Sequence, residues 1–231
     1  MTKREIITVP WSLFGMTEVD WDIDFREQGA LENIAGGTQV VYSAFPRWIG
    51  SPSLVLNRAE ILAWRAHRWH AGGLRGVFRI FMKDPAAVNL RAIAGADAYI
   101  EPGVPFSTGA VFATGEGLQY SPTVETVGAA AKGATEMVID PATAEFPIVP
   151  GMIVSHDDWP IGITSVTTEG SYQRLTFRPE GLRGAIPDQG RISLLPTGLF
   201  EASTAGMGNP AYGLDRVSRP RLQLREWINR P

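Results

Sequence analysis

"LNRAEILAWRAHRWHAGG", residues 56–73, decides the fold, because it carries the one strong helix signal in a chain otherwise built of short strands. Asn57 is a good N-cap, and Glu60 three residues later completes a capping-box pattern. Leu56 before the cap and Ile61 at the fourth helical position fit a hydrophobic staple, and Gly72-Gly73 supplies the stop. The spacing predicts a helix over 57–71. Ala59, Leu62, Ala63, Ala66 and Trp69 recur at i, i+3, i+4, i+7 and i+10, which predicts one stripe lying on a sheet. Trp64, Arg65, His67 and Arg68 fall off that stripe. An outward Trp among arginines is typical of an interface anchor. His67 and His70 stand at a spacing that metal ligands can use, but no H-E-x-x-H carboxylate accompanies them. The stretch reads as architectural.

Working outward, the flanking sequence is punctuated by 25 Gly and 17 Pro in 231 residues, which favours short strands joined by turns. The length suits one sizeable domain or two small ones. The formal net charge of -3 gives no field that draws the chain to nucleic acid or to a membrane surface. With no cysteine, a disulfide scaffold, a thiolate zinc site and a Cys nucleophile are all excluded. The start, "MTKREIITVPWSLFG", lacks the apolar run of a signal peptide, and no stretch approaches the ~20 apolar residues of a membrane helix. The expected setting for folding and assembly is a reducing cytoplasm.

In "VDWDIDF" Val19, Trp21, Ile23 and Phe25 alternate with three aspartates, a period of two that predicts a strand with one apolar and one acidic face. A calcium loop needs a central Gly and a distal Glu, which are absent. "GGTQVVYSAFPRW" predicts a second strand ending near Pro46, "SPSLVL" a third, and "RGVFRIFMKDP" a strand stopping at Asp84-Pro85. Residues 83–122 are rich in Gly, Pro and Ala. They hold an echo, Phe106-Ser107-Thr108-Gly109 then Phe112-Ala113-Thr114-Gly115, which reads as two Gly-terminated turns and not as a phosphate loop. From Thr123 to Pro196, short strands at regular spacing predict a small closed barrel of five or six strands. The tail beyond it, with Leu222, Leu224 and Trp227, is expected to complete the N-terminal sheet. The expected organisation is therefore mainly β: a β-sandwich or split-barrel body, 1–122 completed by 197–231, with one flanking helix, and an inserted barrel at 123–196.

Chemistry-bearing constellations are sparse. His156 stands beside Asp157 and Asp158, but adjacent residues on a strand or turn point in different directions, and "HDDWP" reads as a polar hairpin turn. There is no G-x-S-x-G serine and no conspicuous carboxylate pair. No catalytic residue, cofactor-binding residue or metal ligand is assigned. Arg216, Arg219, Arg221, Arg225 and Arg230 cluster near the C-terminus. Phosphate tracking is one reading of them. Given the acidic balance, pairing across a subunit interface is preferred, with "VDWDIDF" as a mate in the same or an adjacent copy.

Several pieces in fixed order carry a resemblance: Arg47-Trp48 leading into "SPSLVL", the "RAE…W" helix followed by "GLRGVFRIFMKDP", a Gly-rich middle, "PGM" before a strand, and "LRGAIPDQGRISLLPTGLFEA" before the C-terminal arm. Together they resemble the distal tail proteins, or related tail-tip ring components, of long-tailed bacteriophages and phage-derived particles. The resemblance covers the chain beyond about residue 40 and rests on order and texture, with no catalytic motif. It implies a virion structural protein at the tail tip, commonly a hexameric ring joining the tail tube to the hub or baseplate. Some such proteins contact host carbohydrate through a peripheral domain. The expected ring contacts are Trp64, Arg65 and Arg68 on the helix and Arg219, Arg221 and Arg225 on the arm. Trp159, Tyr172 and Trp227 are the candidates for glycan contact. A carbohydrate-binding module or a polysaccharide-degrading enzyme are the competing classes.

Overall fold

The computed structural model describes residues 4–13, 16–26, 28–32, 38–41, 45–87, 103–118 and 120–230. Gly36-Gly37, the end of the strand expected before Pro46, and residues 88–102 of the Gly-rich middle lie outside the described residues. The strands before the helix are β1 (Ile6–Thr8), β2 (Met16–Glu18), β3 (Asp22–Asp24), β4 (Gln28–Glu32), β5 (Thr38–Val41), β6 (Arg47–Gly50) and β7 (Ser53–Leu54). The helix α1 (Arg58–Ala71) and β8 (Val77–Phe81) follow. Then come β9 (Thr123–Thr126), β10 (Glu136–Asp140), β11 (Ile153–His156), β12 (Trp159–Glu169), β13 (Tyr172–Arg178) and β14 (Arg191–Ser193). The last two strands are β15 (Thr197–Ala202) and β16 (Leu224–Glu226).

The fold is mainly β with a single α-helix among the described residues. The helix begins where its chemistry says. Asn57 Oδ1 accepts from the N–H of Ala59 (3.0 Å) and Glu60 (3.2 Å), while Glu60 Oε2 accepts from Asn57 N–H (2.7 Å). The reciprocal box satisfies donors that the first turn otherwise leaves orphaned. It ends at Gly72, whose left-handed backbone (φ 61°) costs glycine nothing.

Six strands form a mixed sheet in the order β1-β8-β15-β16-β6-β3, with only β1 and β8 running parallel. Alternation along β8 and β15 splits the side chains between two faces. Phe78, Ile80, Phe200 and Ala202 join Ile61, Trp64 and Ala71 of α1 in the larger core, whereas Val77, Leu199 and Trp227 form a small cluster of their own. The strands from β9 to β14 close into a separate six-stranded antiparallel barrel, in the order β10-β13-β12-β11-β14-β9. Its interior is aliphatic, built on Val124, Ile139, Val154, Ile163, Leu175 and Ile192. A closed barrel leaves no sheet edge open along its length.

The acidic strand is shorter than its period suggested, covering only Asp22–Asp24. Trp21 and Ile23 pack against the core, but Phe25 lies past the end of the pairing and is 41 % exposed.

Candidate functional site

The helix presents the opposite face to the one its alanines mark. Its buried side chains are Ile61, Trp64 and Ala71. At about 100° per residue, the Ala59/Leu62/Ala63/Ala66/Trp69 stripe falls roughly on the far side, and all five are exposed. Leu62 is 57 % exposed and Trp69 69 %. Alanine favours a helix at any azimuth, so it says nothing about which face is inward. Ile61 and Trp64 are the side chains turned inward, with Trp64 set against Phe78 and Gly208.

Trp64 is therefore not a surface anchor, contrary to its sequence pattern. It is fully buried, its ring lies 5.9 Å from that of Phe78, and its indole N–H donates to Gly208 O at 2.7 Å. Gly208 has to be glycine, because its φ is 62° and an added Cβ would sit 2.6 Å from Leu222 Cδ2. Arg68 is also turned inward within the chain, donating to Met207 O (2.8 Å), Gly206 O (3.2 Å) and Asn209 Oδ1 (3.1 Å). It pins the 204–209 loop to the helix. Arg65 lies over the Trp69 ring at 4.8 Å and reaches Tyr212 Oη at 3.3 Å. The anchor available to a neighbour is Trp69, with Leu62, and not Trp64.

The C-terminal arginines divide. Arg219 is exposed. Arg221 pairs with Asp20 (3.4 Å) and donates to Ser51 O, so the acidic segment and the arm do meet, inside one chain. Arg225 pairs with Glu201 (2.7 Å), which also takes Arg4 (2.7 Å). Arg221 and Arg225 are thus already partnered as intrachain fasteners.

The three glycan candidates sit on three separate elements. Trp227, beyond β16, is buried beneath Arg4 at 5.3 Å. Trp159, at the start of β12, is covered by the Arg230 guanidinium at 3.3 Å. Tyr172, at the tip of the β12–β13 hairpin, is 41 % exposed. They do not form one aromatic platform.

His156, Asp157 and Asp158 form the predicted turn between β11 and β12. Both aspartates adopt the left-handed conformation (φ 48° and 62°), as a two-residue hairpin turn demands. The three side chains diverge. His156 Nδ1 meets Arg191 O at 2.9 Å, whereas Asp158 accepts from Arg79 Nε (2.9 Å) and from Thr197 Oγ1 (2.8 Å). On the helix, His70 pairs with Glu5 at 2.9 Å, and His67 has its pKa lowered by burial and by His70. Among the described residues no three His, Asp or Glu side chains gather closely enough to hold a metal ion.

Sequence reading missed the seam between sheet and barrel. Trp48 of β6 donates its indole N–H to Pro160 O (3.0 Å), and Arg230 donates to Asp158 O (3.0 Å) and to Asp157 O (3.3 Å). Burial pulls the Arg230 pKa down to about 10, so it remains a cation at neutral pH. Glu226 is buried beside Trp48, whose backbone N–H donates to Oε2 at 3.1 Å, while Oε1 has no hydrogen-bond partner among the described residues. Burial holds this carboxyl above its ordinary range, against the pull of the Trp48 N–H and of Arg183, Arg230 and Arg47. The signal was present in "REWINR", where a charged pair, Arg225-Glu226, is followed by Trp227-Ile228 and then Arg230, but sequence does not place Asp158 or Arg183 beside it.

No protein-family model matches the chain, and no curated protein matches its sequence. No helix among the described residues is long and apolar enough to cross a membrane.

Proposed function

We propose that this chain is a structural, non-catalytic component of a phage-type tail. In this reading it self-assembles into a ring, a hexamer, at the distal end of the tail tube and joins the tube to the tip hub or baseplate. Its place is then the virion tail tip, after synthesis in the host cytoplasm, and its partners are its own copies, the tube protein and the hub. The observation that carries the reading is the outward apolar face of α1: Leu62 and Trp69 stand exposed along a stripe of alanines on a capped helix. A rigid element displaying such a face is suited to covering by another surface. The order of sequence pieces, which resembles that of distal tail proteins, supports the ring and its location. Light scattering with negative-stain imaging over a concentration series tests it. Closed rings of uniform diameter are expected, and a monomer at every concentration counts against self-assembly.

Host carbohydrate binding is a second reading, favoured by one observation. A cleft of about 410 Å³ runs between the β3 edge and the barrel, and Trp21, Phe25, Asp22 and Arg178 are among the residues that line it. An aromatic wall with carboxylate and guanidinium groups matches the apolar face and hydroxyls of a sugar ring. Glycan-array binding that disappears in Phe25→Ala supports it, and an array with no signal for the wild type removes it.

A further inference from the structure

Residues 103–118 build an arm whose outer part, 106–116, is exposed throughout. Its base is a backbone pair, Val104 N–H to Leu118 O at 2.6 Å and the reverse at 2.8 Å. The sequence echo becomes a structural repeat. Gly109 N–H donates to Phe106 O (2.7 Å) and Gly115 N–H to Phe112 O (2.8 Å), with both glycines at positive φ (78° and 87°). The repeat brings the two phenyl rings edge to face at 5.2 Å. Every residue from 106 to 116 is exposed, and Glu116 is the one ionisable group among them. Val111 adds a further exposed apolar side chain to the aromatic pair.

A groove with room for such a pair lies elsewhere on the chain. A groove of about 320 Å³ opens at the C-terminal end of α1, lined by Trp69, Phe78, Ala202 and Met207, with Arg68 and Thr204 also contributing. An apolar void of roughly half that volume accommodates a benzene ring, so there is room for the pair. Trp69, Phe106 and Phe112 are all exposed in the single chain, so the arm is not seated in its own groove. Arg65 and Arg68 near the groove complement the arm's lone carboxylate, Glu116.

We propose that the Phe106–Phe112 arm of one copy seats in the Trp69 groove of a second copy. This inference rests on the self-assembly reading and gives that reading a specific contact. Because arm and groove are different surfaces, the contact is heterologous, and it repeats from copy to copy until the ring closes.

The absence of cysteine allows a clean test. Val111→Cys in one preparation and Thr204→Cys in another are mixed under mild oxidation, and the disulfide-linked dimer is measured against each variant alone. In parallel, the Phe106→Ala/Phe112→Ala double variant is compared with wild type by sedimentation, with thermal unfolding as the control for folding. The contact predicts a mixed dimer well above either variant alone. It also predicts a self-association Kd raised about tenfold or more, with the unfolding temperature unchanged because the rings join neither core. If wild type assembles and the double variant assembles equally well, or the mixed pair fails to cross-link, the arm contact is overturned and the ring reading stands. A wild type that is monomeric throughout overturns both.

Discussion

Replacing Trp64 by alanine separates a core tryptophan from a surface one, and the structure fixes the size of the effect. Its ring is fully buried between Phe78 and Gly208, so truncation leaves a cavity where Gly208 offers no side chain to collapse into it. Large-to-small changes of this kind cost about 3–5 kcal/mol. The Gly208 carbonyl also loses its indole donor, adding about 1 kcal/mol. A total of about 4–6 kcal/mol, at roughly 2–4 °C per kcal/mol for a chain of this size, lowers the unfolding temperature of the sheet domain by about 8–24 °C. Trp69→Ala, on the opposite face, should change it by no more than about 2 °C, since exposed substitutions stay within about 0.5 kcal/mol. Differential scanning calorimetry on both variants at dilute, monomeric concentration is the assay. Equal shifts for the two tryptophans, or an unshifted Trp64→Ala, refute the assignment of helix faces.

Three further outcomes follow from the same geometry. Gly208→Ala must accept a positive φ and a Cβ 2.6 Å from Leu222, so chemical denaturation should register a loss of about 1–3 kcal/mol. Burial raises the Glu226 carboxyl, so its stabilising contribution is whole below its unfolded pKa, about 4.3, and is lost as pH rises through the higher folded value. Glu226→Gln keeps a neutral acceptor for Trp48 N–H, and the stability difference, variant minus wild type, should widen with rising pH across that interval and then level off. A difference that is flat across that interval contradicts the burial argument. Arg230→Ala removes the cation over Trp159 and two donors to the Asp157–Asp158 turn, costing about 2 kcal/mol. Limited proteolysis should then cut near residue 196 or 228 faster than in wild type, and an unchanged cleavage pattern argues against the seam.

How far the sequence could be read depends on whether the signal was local. The Asn57–Glu60 box, the Gly72 stop and the Asp157-Asp158 turn each rest on residues within four positions of one another, and all appear in the fold as read. The closed barrel was legible from strand spacing, because its strands run consecutively in the chain and most of their connections carry Gly or Pro. The inward face of α1 was not. Two apolar stripes compete on that helix, and the choice between them is made by Gly208 and Phe78, far off in sequence. The same holds for Trp159 and Trp227, which look like exposed recognition aromatics until Arg230 and Arg4 are laid over them. Arginine clusters are similarly ambiguous: Arg221 and Arg225 find acids in their own chain, which sequence alone does not distinguish from acids in a neighbour.

The central claim is that the outward face of α1 is an assembly surface. Sedimentation velocity on wild type and on a Leu62→Glu/Trp69→Glu variant, over a concentration series and at matched thermal stability, tests it most directly. The account predicts that wild type passes from monomer to one discrete larger species while the variant remains monomeric at every concentration. Assembly of the variant at the wild-type concentration, into the same species, would contradict it.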